Sequence, residues 1–172
     1  MLLLKKSNPT LLECLHSTNV YEQNIKIISI IKEAVPSLFS QKACFYHYLK
    51  MATSNYQIVL KGNTSVKQYL NVIRPLLMCL SLEKEFAFPP LELQRLVHLC
   101  DPYIKEQIKE LILLKKGQNG TPNYTSLNTF IETEINRLAA VVNQLSEGKE
   151  NDSRRLDEIF TFALKTVWNI NF

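Results

Sequence analysis

The sequence predicts an all-α protein in which about eight helices form a single multi-helix bundle, one helical domain over residues 1–172. Apolar residues recur at intervals of three and four through almost every segment, which is the helical period. The chain is 46% hydrophobic with only 4 Gly and 7 Pro, a composition that supports one sizeable core and excludes a disordered protein. Caps, Pro and Gly stand at the ends of the apolar runs, and no segment shows a clear strand pattern.

The first half of the chain divides into well-marked helices. The segment Ser7-Asn8-Pro9 supplies a cap and a first-turn Pro for a helix of about two turns. The apolar pattern from Asn24 to Val35 predicts a second helix, which Pro36 is expected to stop. Ser40 caps a longer helix that ends at Gly62, a residue suited to the left-handed position after a helix.

A further helix opens at Thr64, only two residues after the previous one ends. Two helices with so short a connection are expected to lie antiparallel as a hairpin. Pro75 falls inside the second helix of this hairpin. A Pro there removes one hydrogen bond and clashes one turn back, which predicts a kink near Asn71 to Arg74.

The second half of the chain carries similar signals. Phe88-Pro89-Pro90 restarts the chain before a short helix, and Asp101-Pro102 caps the next helix, which ends at Lys115-Lys116-Gly117. The segment 117–124, GQNGTPNY, has loop composition and is expected to be exposed. A long helix then runs to Gly148. A last helix is expected to turn six apolar residues inward: Leu156, Ile159, Phe160, Ala163, Leu164 and Val167.

Composition also excludes several classes of protein. No uninterrupted apolar stretch approaches the roughly 20 residues of a membrane span, and the order of apolar and basic residues over Met1–Lys6 is the reverse of a secretory signal. We therefore expect a cytoplasmic protein without a membrane partner. The cysteines form no C-x-x-C pair and no zinc-type spacing, so four small core residues in a reducing compartment are expected. They are Cys14, Cys44, Cys79 and Cys100.

The most informative polar pattern lies on the hairpin. His47 and Lys50 share one face of its first helix, while Lys67, Asn71 and Arg74 follow at i, i+4 and i+7 on its second. If both faces point the same way, the cations converge near the proline, where freed backbone groups would help to bind phosphate. The alternative is that both lysines are solvated surface residues and His47 is a satisfied core histidine. The sequence leaves both interpretations open.

Acidic residues are too few and too scattered for a two-metal transfer site. The chain has three Asp, none in an Asp-x-Asp pair, and it lacks a Gly-Ser turn, a Walker sequence and the common nucleophile motifs. Glu132 and Glu134 lie two positions apart on a helix and point to different faces. We therefore expect neither metal ligands nor a cofactor in this chain, and no enzyme that is complete in itself.

Six stretches, in order, resemble a known family. They are Leu3–Pro9 (LLKKSNP), Tyr46–Leu49 (YHYL), Lys67–Leu77 (KQYLNVIRPLL), Phe88–Leu93 (FPPLEL), Leu127–Glu132 (LNTFIE) and Leu156–Phe160 (LDEIF). Together they are similar to the helical C-terminal part of the predicted nucleotidyltransferases of the DNA polymerase beta superfamily called RlaP-like or YcgL-like, which are associated with RNA repair. The likeness covers nearly the whole chain.

This resemblance implies nucleotidyl transfer with Mg²⁺ and a nucleoside triphosphate for the intact family. The family places a mixed-sheet catalytic domain ahead of the segment that matches Leu3–Pro9, so that domain is expected to be missing here or to be supplied by a partner chain. Four residues inside matched motifs are implied as nucleotide or phosphate contacts: His47, Lys67, Tyr69 and Arg74. Lys50, Tyr46 and Asn71 are further candidates on helical geometry alone.

Two functions follow as hypotheses. In the first, the chain is a substrate-binding or accessory domain that contacts a nucleoside triphosphate or an RNA acceptor and is not catalytic alone. In the second, it is a helical module for protein–protein interaction or self-association, which docks through an apolar patch around Leu2–Leu4 and the first two helices. Whether the chain is an enzyme stays open, because the family is a transferase family and this chain lacks the metal-binding motif.

Overall fold

The computed structural model describes residues 2–21, 24–145 and 153–168, and these residues form helices with no strand among them. The predicted all-α fold class is confirmed. The α-helices of the described residues are α1 (Leu2–Lys5), α2 (Pro9–His16), α3 (Ile25–Leu38), α4 (Gln41–Leu60), α5 (Val66–Lys84), α6 (Leu93–Leu96), α7 (Pro102–Lys115), α8 (Tyr124–Val141) and α9 (Ser153–Trp168). Two 3₁₀ helices, Val97–Leu99 and Val142–Gln144, follow α6 and α8. None of these described helices is both long and apolar enough to cross a bilayer.

The chain gathers into two compact units. The first comprises Met1–Cys44 and Ser146–Phe172, and the second comprises Phe45–Leu145. The division falls within α4, so this helix contributes its first turn to one unit and the rest to the other. The prediction of a single domain over residues 1–172 is not confirmed by this grouping and stays a prediction.

A buried serine organises the first unit. Ser7 is 1% exposed and has a positive φ of 47°, a conformation that residues other than Gly rarely adopt. Its hydroxyl donates to the Leu38 carbonyl over 2.8 Å and accepts from the Ser40 amide over 2.8 Å. Its own carbonyl accepts a hydrogen bond from the Cys44 thiol. The loop before α2 is thereby fixed to the corner between α3 and α4, while Asn8 caps α2 as predicted.

Two sequence predictions about the first unit are wrong. Pro36 lies inside the last turn of α3 instead of stopping the helix, because a Pro there removes one hydrogen bond and leaves the preceding turns intact. On α9, Phe160 and Val167 are 49% and 60% exposed, although both were expected to face inward. Leu156 and Ile159 are the buried members of that apolar set, and they lie in the half of α9 nearer its start.

The cysteines behave as predicted with one exception. Cys44 and Cys79 are buried and Cys100 is half-buried, but Cys14 is exposed on α2. All four are free thiols. Burial raises the pKa of the Cys44 and Cys100 thiols to about 12, and it also raises the pKa of Cys79. Thiolates of these three residues are therefore disfavoured at neutral pH.

The helices α4 and α5 form the predicted antiparallel hairpin in the second unit. Gly62 has a φ of +102° and follows the end of α4, as expected of a left-handed residue there. Near one end of the hairpin, the Cys79 thiol donates to the Phe45 carbonyl. Nearer the turn, the Asn55 side chain donates to the Asn71 carbonyl. The later residue of α4 therefore contacts the earlier residue of α5, which shows that the two helices are antiparallel.

The helix α5 continues without interruption through Pro75. Pro75 has no N–H, so the Asn71 carbonyl has no partner within the helix. The Asn55 amide donates to this carbonyl over 3.0 Å, and Gln68 holds Asn55 in place by donating to its backbone carbonyl over 3.0 Å. The freed backbone group is therefore an acceptor that α4 already satisfies, and its expected role in binding phosphate is wrong, because phosphate oxygens are acceptors too. The kink near Asn71 to Arg74 stays a prediction.

The second half of α5 forms the core of the second unit. All residues from 75 to 82 are buried, and α5 contacts α6, α7, α8 and the 3₁₀ helix Val97–Leu99. An ion pair joins α5 to α8 at the surface, where the Arg137 guanidinium donates to both carboxylate oxygens of Glu83. These hydrogen bonds hold the pKa of Glu83 below its usual value.

Replacing Asn55 by Ala should lower the free energy of unfolding by about 1 kcal/mol, because the Asn71 carbonyl loses its partner. The same substitution in a Pro75→Ala background should have a smaller effect, since residue 75 then supplies an N–H to that carbonyl. Urea unfolding of the parent, both single variants and the double variant measures this coupling. Equal effects of Asn55→Ala in the two backgrounds would contradict the assigned role of Asn55.

Candidate functional site

A cationic cleft lies beside the first half of α5. Its volume is about 450 Å³, and it is lined by α5, α6 and the end of α7. Three of its side chains are cations, Arg74, Lys115 and Lys116, and two are amides, Asn71 and Gln94. Among the described residues that line it, none is acidic. The apolar part of its lining consists of Leu70, Leu93 and Ile112. We call this site the anion cleft.

Local backbone structure positions the cations. Arg74 donates from Nε to the Leu91 carbonyl over 3.3 Å, which fixes its guanidinium at the segment before α6. Lys115 and Lys116 are exposed at the end of α7, where Gly117 has a φ of +75° and terminates the helix as predicted. The carbonyl end of a helix carries partial negative charge, so these two lysines also stabilise α7.

The stripe predicted on α5 lies beside this cleft. Asn71 and Arg74 line it, and Lys67 is exposed one turn before Asn71 on the same side of the helix. Sequence reasoning missed Lys115 and Lys116, which it interpreted only as the end of a helix. They are far from Arg74 in sequence, and only the packing of α7 on α5 brings the three cations together.

The candidates on α4 do not line the cleft. Lys50 is exposed, and His47 is half-buried with its ring edge-on to Tyr48 at a centroid distance of 5.4 Å. Asn55 is the α4 residue that meets α5 near the proline, and Lys50, five positions earlier, is turned about 140° around the helix. The cations that line the cleft with Arg74 thus come from α7, whereas the sequence led us to expect them from α4.

Tyr69 belongs to the core of the second unit. It is 1% exposed, its hydroxyl donates to Asn128 Oδ1 over 2.9 Å, and its ring contacts that of Tyr124 at a centroid distance of 4.8 Å. Burial raises the pKa of its hydroxyl. Tyr69 also lies about 160° around α5 from Asn71, so it faces away from the cleft. Its place in a matched motif made it a candidate contact, but its burial indicates a packing role.

The lining of the anion cleft does not suit Mg²⁺ by itself. Within the described residues, no three His, Cys, Asp or Glu side chains gather in a way that could hold a metal ion. Mg²⁺ requires oxygen ligands in near-octahedral geometry, whereas the anion cleft offers two amides beside three cations.

Comparison with known proteins gives two matches. A family model described as "RlaP: RNA repair pathway DNA polymerase beta family" matches residues 1–161. The chain is also 30% identical over 172 residues to "Uncharacterized protein YcgL" of Bacillus subtilis (strain 168). That alignment covers 96% of the chain and 66% of the relative, so the chain spans just under two thirds of the relative's length. No solved structure matches the chain.

Tyr69→Phe should lower the free energy of unfolding by about 1 kcal/mol, because Asn128 loses a hydrogen-bond donor, and it should leave nucleotide affinity unchanged. Urea unfolding and titration with ATP measure the two effects. Tyr21→Phe is the matched control, since Tyr21 is fully exposed, and it should change neither. If Tyr69→Phe is as stable as the parent but binds ATP more weakly, the assignment of Tyr69 to the core is wrong and Tyr69 contacts the nucleotide.

Proposed function

Because the chain belongs to the RlaP family, the RNA repair pathway DNA polymerase beta family, we propose that it is the helical substrate-binding part of a nucleotidyltransferase. In this proposal the anion cleft binds the phosphate groups of a nucleoside triphosphate or of an RNA acceptor. The observation that carries the proposal is the meeting of Arg74, Lys115 and Lys116 in one cleft whose described lining contains no acidic residue.

The cleft residues differ in what they offer to such a ligand. Arg74 carries a planar guanidinium that suits two oxygens of one phosphate, and its bond to Leu91 fixes its approach. Lys115 and Lys116 are flexible point charges at the rim, which can follow the charge of a ligand. The amides lining the same cleft suit sugar hydroxyls or base edges. With a net charge of only +4, the attraction for phosphate is local to this surface.

We assign this chain an accessory role and no catalysis of its own. Nucleotidyl transfer in this superfamily would require Mg²⁺ held by carboxylates, and the described residues contain no such cluster. Binding and orienting the phosphates needs only the cations of the anion cleft. The metal and the triphosphate chemistry would then be supplied by a catalytic domain, in the same polypeptide or in a partner chain.

Lys115→Ala/Lys116→Ala should weaken the binding of ATP and of short single-stranded RNA about tenfold at low salt, because two of three cleft cations are removed. Each RNA phosphate contact that is lost should flatten the slope of log affinity against log salt by about 0.7. Fluorescence anisotropy at several salt concentrations measures both quantities.

The matched control is Lys26→Ala/Lys32→Ala, which removes the same charge from exposed positions on α3. It should leave affinity and salt slope close to those of the parent. Arg74→Gln should weaken binding as well, and its circular dichroism shows whether it is folded. Equal affinities of the two lysine double variants would contradict phosphate binding in the anion cleft.

A second candidate function, self-association, is favoured by the exposed side of α9. Four residues along one exposed side of this helix are Asp157, Thr161, Phe162 and Lys165. Asp157 and Lys165 lie four positions on either side of Thr161. Two copies of α9 packed antiparallel about Thr161 would therefore place each Asp157 opposite the Lys165 of the other copy. Two exposed aromatic side chains of α9, Phe162 and Trp168, would be covered in the same contact.

Lys165→Asp should weaken this association about tenfold, because it introduces two symmetric like-charge contacts. The charge swap Asp157→Lys/Lys165→Asp should restore it. Sedimentation equilibrium measures both, with Lys26→Asp on α3 as the control of equal charge change. A parent chain that is monomeric at all concentrations, or a swap that associates no better than Lys165→Asp, would exclude this pairing.

A further inference from the structure

A second polar cleft opens on the same face of α5, beyond the anion cleft. Its volume is about 360 Å³, and its polar lining includes Ser81 and Lys84 of α5, Glu85 directly after this helix, and Arg95 and His98. Ser81 follows Arg74 by seven residues and lies within about 20° of it around α5, so the second cleft opens on the side of this continuous helix that carries Arg74. We call this site the second cleft.

The segment Leu93–Leu99, formed by α6 and the 3₁₀ helix after it, separates the two clefts. It packs on α5, and its adjacent residues Gln94 and Arg95 line different clefts. Arg74 and Lys84 are ten residues apart on α5, a distance of about 15 Å along the helix. The two clefts are therefore neighbours on one surface, at a separation that exceeds the length of a triphosphate group.

The charges of the two clefts are unequal. The anion cleft has three cations and, among its described lining residues, no acid. In the second cleft, Lys84 and Arg95 stand beside Glu85, and Arg95 also lies 3.7 Å from Glu92. The larger surplus of positive charge suits a terminal phosphate, which carries about −1.5 to −2 at neutral pH. The smaller surplus suits an internal phosphodiester with its single charge.

His98 adds a hydrogen-bonding group to the second cleft. Its Nδ1 lies 2.7 Å from the Arg95 carbonyl, and because a carbonyl only accepts, Nδ1 carries the proton. In the neutral ring Nε2 is then an acceptor. An acceptor beside a phosphodiester site suits the 2′-hydroxyl of a ribose, which is the group that distinguishes RNA from DNA.

We propose that the two clefts together bind one single-stranded RNA, with its terminal phosphate in the anion cleft and an internal phosphodiester in the second cleft. This inference rests on the proposed function and narrows its ligand. A free nucleoside triphosphate carries all its charge in one group and fills one cleft only. A strand carries one charge per nucleotide, so it reaches both clefts.

Fluorescence anisotropy with labelled RNAs tests the two-cleft arrangement. The probes are a dinucleotide and an octanucleotide, each with a 5′-phosphate, a 3′-phosphate or no terminal phosphate, the DNA octanucleotide, and ATP as an unlabelled competitor. The phosphorylated octanucleotide should bind about tenfold more tightly than the dinucleotide. Lys84→Ala/Arg95→Ala should abolish this gain without changing the competition by ATP, and both substituted side chains are exposed.

The variants separate failure of this inference from failure of the proposed function. Lys115→Ala/Lys116→Ala should weaken all phosphorylated probes and ATP, while Lys26→Ala/Lys32→Ala should change none of them. An octanucleotide that binds no better than the dinucleotide, or that is insensitive to Lys84→Ala/Arg95→Ala, would overturn the two-cleft arrangement and leave the anion cleft intact. RNA and ATP binding that Lys115→Ala/Lys116→Ala leaves unchanged would overturn the anion cleft itself. Equal binding of RNA and DNA octanucleotides would exclude the role of His98.

Discussion

Eight consecutive buried residues, 75–82 of α5, impose the main constraint on the second unit. A helix segment that is buried on every side has no polar face, so other elements must cover all of its sides. Contacts with α6, α7, α8 and the 3₁₀ helix Val97–Leu99 supply this cover. The charged side chains of α5 can then face a ligand only before or after the buried segment. Arg74 lies directly before it and Lys84 two residues after it, and these are the positions at which the two clefts open.

Several helix ends could be predicted from sequence because caps and turns depend on neighbouring residues, although the predicted end of α3 at Pro36 was wrong. Asn8, Asp101 and the two glycines with positive φ, Gly62 and Gly117, occupy the predicted positions. Exposure could not be predicted in the same way. Periodicity shows which residues share a face, but it does not show whether another element covers that face. The exposed Val167 on α9 is an example, since it continues an apolar stripe whose buried part, Leu156 and Ile159, is limited to the first half of the helix.

The candidate site was predictable only in the part that lies on one helix. The spacing of Asn71 and Arg74 placed both on one side of α5, and both line the anion cleft. Lys115 and Lys116 could not be assigned to this cleft from sequence, because no local sequence pattern indicates that two distant segments pack together. Tyr69 shows the opposite error: a place in a matched motif made it a candidate contact, but a motif does not distinguish a residue that binds a ligand from one that packs in the core.

Ser7 must satisfy two demands that few residues meet together. Glycine would adopt its positive φ without steric cost, but glycine has no hydroxyl to join the Leu38 carbonyl to the Ser40 amide. Threonine would keep the hydroxyl, but its branched Cβ is strongly disfavoured in the left-handed region. Serine is the smallest side chain that serves both the backbone and the polar groups. Ser40 in turn caps α4. A substitution of Ser7 would therefore also disturb the start of α4, unless other residues replaced its hydrogen bonds to Leu38 and Ser40.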